Sequence, residues 1–295
     1  MFQVFIAQIL NGLSLGSIYV LLATSFNLLL LVALIIHFAY PQVVVFSMYI
    51  IWLVLKATGN NLFLGILAGV LSSIVLNVLS SVVFQKVMSK RASVDINSTM
   101  VVSMGMGFVI TDILSHSFNK GFPITYPEKL IGGKPILHTG LISIQQGQVW
   151  SILIGAVAVS TFFVLLYKTR AGRAFRAIAE DPVDARLVGI PLIKTGFQSY
   201  ALAGILGGLS AVLIAMLLQS ATPGLGDMLA HKVLAVSIVA GLGNLAGGLV
   251  VGLSLGVIEA LIQGYFAGSW SNAIAFVLML IIVLWKPKGL FGIKV

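Results

Sequence analysis

The sequence has no cysteine and very little charge, since only 8% of its 295 residues are Asp, Glu, Lys or Arg. Without cysteine the chain can form neither a disulfide nor a metal site built on thiolates. Residues 1–55 include no charged residue of either sign. An average soluble domain carries about 25% charged residues, so this composition argues against a protein that faces water on all sides.

Hydrophobic residues are what the chain has instead: they make up 59% of it, and the mean hydropathy is +1.10. Because about 20 consecutive apolar residues can cross a bilayer, the sequence predicts an all-α, polytopic transmembrane helical bundle with eight to ten membrane segments. The predicted segments lie at roughly 4–31, 42–56, 62–85, 96–117, 149–167, 196–220, 229–263 and 270–285.

Two boundaries in this prediction depend on helix-breaking residues. Pro41 is the expected break between the first two segments, because proline cannot continue the helical hydrogen-bond ladder. The segment 229–263 is too long for one straight span, and its glycine-rich stretch at 241–248 favours a turn or a broken helix. It is therefore either two spans or one span with a re-entrant piece.

Lysine and arginine gather in three clusters between apolar segments. The clusters are Lys86, Lys90 and Arg91; residues 168–194; and Lys286, Lys288 and Lys294. The positive-inside bias places them on the cytoplasmic side and accounts for the net charge of +9. No nucleic-acid partner is expected, since the basic residues are not interleaved with aromatic ones. We expect one transmembrane domain over 1–295, in contact with membrane lipid, with a cytoplasmic loop at 168–195 and an extracytoplasmic loop at 118–148.

Glycine recurs at four-residue spacing in several apolar segments, which places each set on one face of a helix. The sets are Gly12 and Gly16; Gly65 and Gly69; Gly204 and Gly208; and Gly248, Gly252 and Gly256. Small residues at this spacing let helix backbones approach closely within membranes. The pattern predicts close helix packing, with sliding or bending of helices as the alternative.

The stretch RAGRAFRAIAEDPVDARLVGI at 170–190 stands out because it is rich in charge. The whole chain has 17 basic and 8 acidic residues, and nine of these charged residues lie in the segment 168–194. Its first half is rich in alanine and arginine, which favour a helix. Phe175, Ile178 and Ala179 would form a narrow apolar stripe on that helix. This half of the stretch predicts a short amphipathic helix.

The second half of the stretch carries the signals of a new helix. Asp181 and Pro182 are typical of an N-cap and a first helical position, and Asp184 would lie near the positive end of the helix dipole. Gly189 is typical of the helix end. We predict two short helices that form a docking surface for a cytoplasmic protein, with the apolar stripe filling a groove on the partner. A basic loop that fixes topology and contacts anionic lipid head groups is the alternative.

This segment resembles the cytoplasmic coupling loop of branched-chain amino acid permeases of ABC importers, the shorter of their two permease types. NGLSLGSIYVLLA at 11–23 is similar to the first span of that family, and AVSIVAGLGNLAGG at 235–248 is similar to its glycine-rich stretch. KPKGLFG at 286–292 is similar to its terminal motif, with lysine where arginine is usual. The resemblance covers nearly the whole chain in the same order.

The resemblance implies a permease subunit of the bacterial cytoplasmic (inner) membrane that moves branched-chain or related small amino acids by alternating access. Its partners would be a second, longer permease subunit, two cytoplasmic ABC ATPases and a periplasmic substrate-binding protein. The sequence has no GxxxxGK[ST] phosphate loop, so ATP and Mg²⁺ are expected on the ATPases, and this subunit is expected to be no enzyme and to bind no cofactor. The residues expected to couple to the ATPases are Arg173, Arg176, Glu180, Asp181, Pro182, Asp184, Arg186 and Gly189.

Polar residues within the apolar segments are candidates for the substrate pathway, because polar groups inside a bilayer are costly. The candidates are Tyr19, His37, Tyr40, Asn244 and Glu259. Glu259 leads them and has Gln263 one helical turn away on the same face. An interhelical hydrogen bond that serves packing is the alternative role for such a residue.

The stretch IHFAYPQ at 36–42 departs from the Asn–Phe–Ala–His–Gly pattern that is usual in the family. His37, Tyr40 and Pro41 stand where the pattern has asparagine, histidine and glycine. If the stretch lines the pathway, urea, a short amide or another small organic compound becomes an alternative solute. Otherwise the stretch shapes a helix start at the membrane surface.

A self-sufficient ion-coupled carrier is an alternative from a different functional class. In that case Asp112 or Glu259 would be the coupling acid. His37 and His116 have no further ligands at helical spacing, so no metal site is expected.

Overall fold

The structure confirms the predicted all-α fold class. The computed structural model describes residues 2–89, 96–127, 135–139, 142–265 and 271–292. The α-helices within these residues are α1 (Phe2–Ala33), α2 (Tyr40–Ala57), α3 (Leu62–Ser89), α4 (Ile96–Ser117), α5 (Gln146–Lys168), α6 (Arg170–Glu180), α7 (Pro182–Leu187), α8 (Leu192–Leu218), α9 (Leu225–Ala240), α10 (Leu245–Tyr265) and α11 (Ser271–Trp285). Seven of them, namely α1 to α5, α8 and α10, are long and apolar enough to cross a membrane.

The break between the first two helices covers residues 34–39 and precedes Pro41. Leu34 adopts a left-handed φ of 56°, and α2 begins at Tyr40 with Pro41 in its first turn. Proline suits a first turn, because the amide hydrogen that it lacks would have no partner inside the helix there. The sequence suggested that Pro41 would separate the two helices. It instead lies in the first turn of the second one.

The long apolar segment 229–263 forms parts of two helices, α9 and α10, with a turn at 241–244 between them. Gly241 and Gly243 have φ values of 96° and 83°, which glycine adopts at little cost. Helices α9 and α11 have 16 and 15 residues, which is short of the roughly 20 residues of a full span. With the seven longer helices they bring the apolar helices of the described residues to nine.

Helix α1 lies at the centre of the bundle and packs along α10, α8 and α5. Its crossing with α10 is close because both helices carry glycine: a Cβ atom on Gly256 would collide with backbone atoms of Gly12 and Gly16. Helices α3 and α8 cross in a similar way, since a Cβ atom on Gly204 or Gly208 would lie 2.6 Å from a Cα atom of α3. These crossings confirm the packing role that the glycine spacing predicts.

Short strands occur in and near the loop that is expected to be extracytoplasmic. The strands are β1 (Ile124–Thr125), β2 (Pro135–Thr139), β3 (Ile142–Gln145) and β4 (Ser220–Ala221). β1 pairs antiparallel with β4, and β2 pairs antiparallel with β3. Because β4 directly follows α8, the first pairing fixes the start of this loop beside the end of α8.

Tyr126 anchors the same loop to α2. Its hydroxyl donates a hydrogen bond of 2.7 Å to the carbonyl oxygen of Met48. Burial, with a smaller contribution from nearby Tyr49, raises the pKa of Tyr126. The hydroxyl therefore keeps its proton and remains a donor at any ordinary pH.

Candidate functional site

A buried ion pair links three helices inside the bundle. Nζ of Lys232 in α9 donates to Oε1 of Glu259 in α10 at 2.6 Å and to the hydroxyl of Tyr19 in α1 at 2.8 Å. The Tyr19 hydroxyl donates to Oε2 of Glu259 at 2.7 Å. Gln263, one turn beyond Glu259, donates to Oε1 at a longer 3.4 Å. Lys232 and Glu259 are only 4% and 3% exposed.

This network joins two of the residues that the sequence predicts for the pathway, Tyr19 and Glu259. Because the charged groups satisfy each other, they hold α1, α9 and α10 together and are poorly suited to binding a passing solute. Lys232 was not among the sequence-based candidates. A lone lysine within the apolar segment 229–263 was nevertheless a signal, since a charge inside a bilayer requires a partner.

His37 and Tyr40 lie within the bundle and not at its surface. The ring of His37 is fully buried and packs edge-on against Phe84 of α3, with 5.1 Å between ring centroids. Its Nδ1 lies 3.3 Å from the hydroxyl oxygen of Ser103 in α4. The hydroxyl of Tyr40 donates at 3.3 Å to the carbonyl oxygen of Ala203, near the middle of α8. The stretch does form a helix start, because α2 begins at Tyr40, but His37 and Tyr40 are enclosed by side chains of other helices.

A small open pocket of about 180 Å³ lies beside this break between α1 and α2. Its polar lining consists of Gln42 from the first turn of α2, together with Asp227 and His231 from α9. Nε2 of Gln42 donates to Oδ1 of Asp227 at 2.8 Å. Nδ1 of His231 donates to the carbonyl oxygen of Asp227 at 2.7 Å. Gln42 ends the stretch 36–42, for which a lining of the pathway was one of the roles considered from the sequence, whereas Asp227 and His231 were not among the sequence-based candidates.

Asn244, another predicted pathway residue, caps a helix and holds the terminal motif. Its Oδ1 accepts the amide hydrogen of Gly247 at 2.7 Å, at the start of α10, and its Nδ2 donates to the carbonyl oxygen of Phe291 at 2.8 Å. The amide of Leu290 donates to the carbonyl oxygen of Val239 at 2.7 Å. Two stretches that carry the family resemblance, the glycine-rich turn and KPKGLFG, thus pack against each other.

The charged segment forms the two short helices that the sequence predicts. Thr169 caps α6 by accepting the amide hydrogen of Gly172. Asp181 caps α7, because its Oδ1 accepts the amide hydrogens of Val183 at 2.6 Å and of Asp184 at 3.1 Å. The N-cap role that the sequence predicts for Asp181 is confirmed.

The apolar stripe of α6 faces the chain's own bundle. Phe175 and Ile178 are buried, and α6 packs against α1, α5 and α8. The expectation that this stripe fills a groove on a partner is therefore wrong, because the stripe is already covered. The apolar side chains that do reach solvent are Val183, Leu187 and Val188, on α7 and just after it.

The predicted coupling residues lie on the outer surface of α6 and α7. All of them are exposed except Pro182, which is half-buried. The exposed members are Arg173, Arg176, Glu180, Asp181, Asp184, Arg186 and Gly189. The guanidinium of Arg176 lies 5.1 Å from the ring centroid of Tyr167 at the end of α5, so it is held against the bundle.

Asp112 lies apart from these groups, on the outer face of α4. Its Oδ1 lies 3.2 Å from Nδ1 of His116, one turn further along the helix. Nδ1 of His116 also lies 3.0 Å from the carbonyl oxygen of Asp112. The expectation that His116 has no potential ligand at helical spacing is therefore wrong, although two groups are too few for a metal site. The pair has the same four-residue spacing as Asp227 and His231 but lies outside the pocket.

The sequence matches a family profile described as branched-chain amino acid transport system / permease component over residues 8–283. The high-affinity branched-chain amino acid transport system permease protein LivH of Salmonella typhimurium is 24% identical over 303 residues, covering 99% of this chain and 96% of that protein. The corresponding protein BraD of Pseudomonas aeruginosa is 26% identical over 299 residues, covering 98% and 96%. The fold is similar to PsaBC from Streptococcus pneumoniae in complex with Fab, with a TM-score of 0.51, 15% identity and coverage of 94% and 91%.

Proposed function

Since the chain belongs to the family of permease components of branched-chain amino acid transport systems, we propose that it is the membrane-spanning permease subunit of an ABC importer for branched-chain or related small amino acids. The match over residues 8–283 carries this proposal. LivH and BraD, which it resembles over nearly their whole length, are named as permeases for branched-chain amino acids. That similarity supports the class of solute.

The pair α6–α7 supports a role for partner ATPases. Its inner face is fixed by buried Phe175 and Ile178, while Leu187 is 80% exposed amid charged side chains. An exposed apolar residue with a charged surround suits docking of a protein, because apolar contact supplies affinity and charge sets the orientation. Two cytoplasmic ABC ATPases would bind here and hydrolyse ATP with Mg²⁺, so that the subunit itself is not an enzyme.

The open pocket supports pairing with a second permease subunit. Asp227 and His231 are exposed on this chain. The pocket that they line also includes Met104 and Gly107, which lie near the middle of the apolar helix α4, so the pocket is at a depth where lipid would surround an uncovered helix. An acid facing lipid at that depth would be costly, so another protein surface or a water-lined pathway must cover it. Two permeases that rock against each other by alternating access, supplied by a periplasmic binding protein at the bacterial inner membrane, would provide both.

The buried stretch IHFAYPQ favours a second candidate solute class. Phe38 of this stretch lines the pocket and His37 is buried beside it, so its departure from the family pattern bears on the pathway. Urea, short amides or other small organic solutes are the alternative cargo. An ion-coupled carrier with Glu259 as its coupling acid is less well supported, because Lys232 already engages that carboxylate.

Purification of the tagged chain from its own membranes in a mild detergent, followed by mass spectrometry of the bound proteins, tests the proposal. We expect to recover a second permease subunit and ABC ATPases. Recovery of the chain alone, together with proton- or sodium-driven uptake by the isolated protein, would replace the proposal with the ion-coupled carrier.

A further inference from the structure

The pocket at the start of α2 and α9 is lined by polar side chains, although polar groups inside a bilayer are costly. Gln42 is only 6% exposed, and its Oε1 has no hydrogen-bond partner among the described residues. An unpaired buried carbonyl oxygen costs about 1–3 kcal/mol. Gln42 lines the open cavity, but Oε1 itself is buried, so a ligand that donates a hydrogen bond would reach it only after a shift of the Gln42 side chain.

Asp227 adds a negative charge to the same pocket. Gln42 occupies its Oδ1 with a donor bond of 2.8 Å, and the side chain is exposed to the cavity rather than enclosed. Among the described side chains, the salt bridges involve Asp112 with His116 and Lys232 with Glu259, and neither includes Asp227. The carboxylate therefore faces the pocket without a neutralising cation from those residues.

His231 contributes a third acceptor. A carbonyl oxygen can only accept, so the bond of 2.7 Å to the Asp227 carbonyl places a proton on Nδ1 of His231. In the neutral ring Nε2 is then an acceptor. Edge-on packing of the ring on Phe276, at 6.3 Å between centroids, holds the imidazole in place.

The rest of the pocket is apolar. Phe38, Met104, Phe108 and Leu234 form its walls. Three acceptors with one negative charge match the three donors of an ammonium group, and apolar walls match a hydrocarbon body. Substrate sites in transporters commonly lie near the bilayer midplane where helices are broken, and this pocket adjoins the breaks at 34–39 and 219–224.

We propose that Asp227, Gln42 and His231 form the subsite that binds the ammonium group of an amino acid with an apolar side chain during its passage. The inference rests on the proposed function and narrows its solute to compounds with a cationic amine. Urea and uncharged amides lack the positive charge that Asp227 would pair with, so the subsite favours the amino acid over those alternatives.

The absence of cysteine from the chain makes a direct binding test possible. Ala230→Cys introduces a single thiol into this subunit at the pocket wall. Leu234→Cys provides a second position if the Ala230→Cys subunit does not assemble with its partners. The complete complex is purified with its partner subunits, and the rate of maleimide labelling of this chain is followed by gel. Leucine is compared with 4-methylpentanoate, which has the same carbon skeleton and carboxylate but no amine.

We expect leucine to slow the labelling and 4-methylpentanoate to leave it unchanged. Adding Asp227→Asn should raise the leucine concentration for half-protection about tenfold or more, the size of one lost charge-assisted hydrogen bond. Asp112→Asn is the matched control, because Asp112 also has a histidine four residues later but lies outside the pocket; it should leave protection unchanged.

Equal protection by both compounds, or protection that survives Asp227→Asn, would overturn the ammonium subsite. ATP-driven leucine uptake is measured in parallel on the same wild-type complex and reports on the proposed function separately. The complex could take up leucine although leucine protects the introduced thiol in neither cysteine variant. That result would overturn the subsite and leave the permease assignment intact.

Discussion

Nζ of Lys232 and Oε1 of Glu259 lie 2.6 Å apart between α9 and α10, and Tyr19 of α1 bonds to both residues. The pair connects a short helix, α9, to the two helices that cross at glycine. Because burial makes each charge dependent on the other, the pair fixes how α9 is seated against the bundle core.

Replacement of one member of this pair should destabilise the chain strongly. Lys232→Met leaves the Glu259 carboxylate buried without its cation, which costs about 3–5 kcal/mol. The double variant Lys232→Met/Glu259→Gln removes both charges and should regain most of that loss, since the amide oxygen of the new glutamine can still accept from Tyr19. Thermal unfolding in detergent compares the wild type with the variants, including Glu259→Gln alone. Losses that simply add in the double variant would show that the two charges do not depend on each other.

Gly256→Ala should destabilise the bundle, because the added Cβ would collide with backbone atoms of Gly12 and Gly16. Overpacking of this kind costs about 1–3 kcal/mol. Gly196→Ala in α8 is the control: a Cβ there meets no atom within 4 Å, and alanine favours a helix by up to about 1 kcal/mol over glycine. Melting temperatures of the two variants should therefore move in opposite directions. A similar shift for both would contradict the close α1–α10 crossing.

Asn244→Ala should release the terminal motif from the turn before α10. The variant loses the N-cap bond to Gly247 and the bond to the Phe291 carbonyl, and loss of an N-cap alone costs about 0.5–2 kcal/mol. Hydrogen exchange over residues 286–292 should become faster. Asn61→Ala is a matched control, since Asn61 also caps a helix, through the amide of Leu64, but lies away from that motif. If hydrogen exchange over residues 286–292 is equally fast in both variants, Asn244 does not hold the terminal motif in place.

Leu187→Ser should weaken binding of the ATPases without weakening the fold. The side chain is 80% exposed, so its removal costs the isolated chain little, whereas a buried apolar contact with a partner would be lost. Phe63→Ser serves as a control, because Phe63 is similarly exposed, at 73%, but lies at the start of α3 and not on α6 or α7. Co-purification of ATPases with each variant is the measurement. Full recovery with Leu187→Ser would place the ATPase contact elsewhere.

Local signals in the sequence were sufficient for the fold class, the break within 229–263 and the N-cap of α7. Each depends on residues close together in the chain: glycine in the turn at 241–244, or Asp181 directly before Pro182. The direction of the α6 stripe was not predictable in this way. A periodic stripe shows that a face is apolar, but not whether the chain itself or a partner covers it.

The sites were harder to predict, because they join residues that are far apart in sequence. Gln42 and Asp227 are 185 positions apart, and Tyr19 and Glu259 are 240 apart. Glu259 and Lys232 each stand out as a costly charged group in an apolar segment, yet their pairing became evident only from the packing of α9 on α10. Tertiary contact, which one sequence does not encode in any local pattern, decides these pairings.

ATP-driven uptake by the purified complex shows whether this chain is a pathway subunit powered by partner ATPases. The complex is reconstituted in liposomes with its loaded binding protein outside and ATP or a non-hydrolysable analogue inside, and radiolabelled leucine is followed. We expect accumulation with ATP only, and none from a proton or sodium gradient. Accumulation driven by an ion gradient in liposomes that hold this chain without ATPases would contradict that expectation.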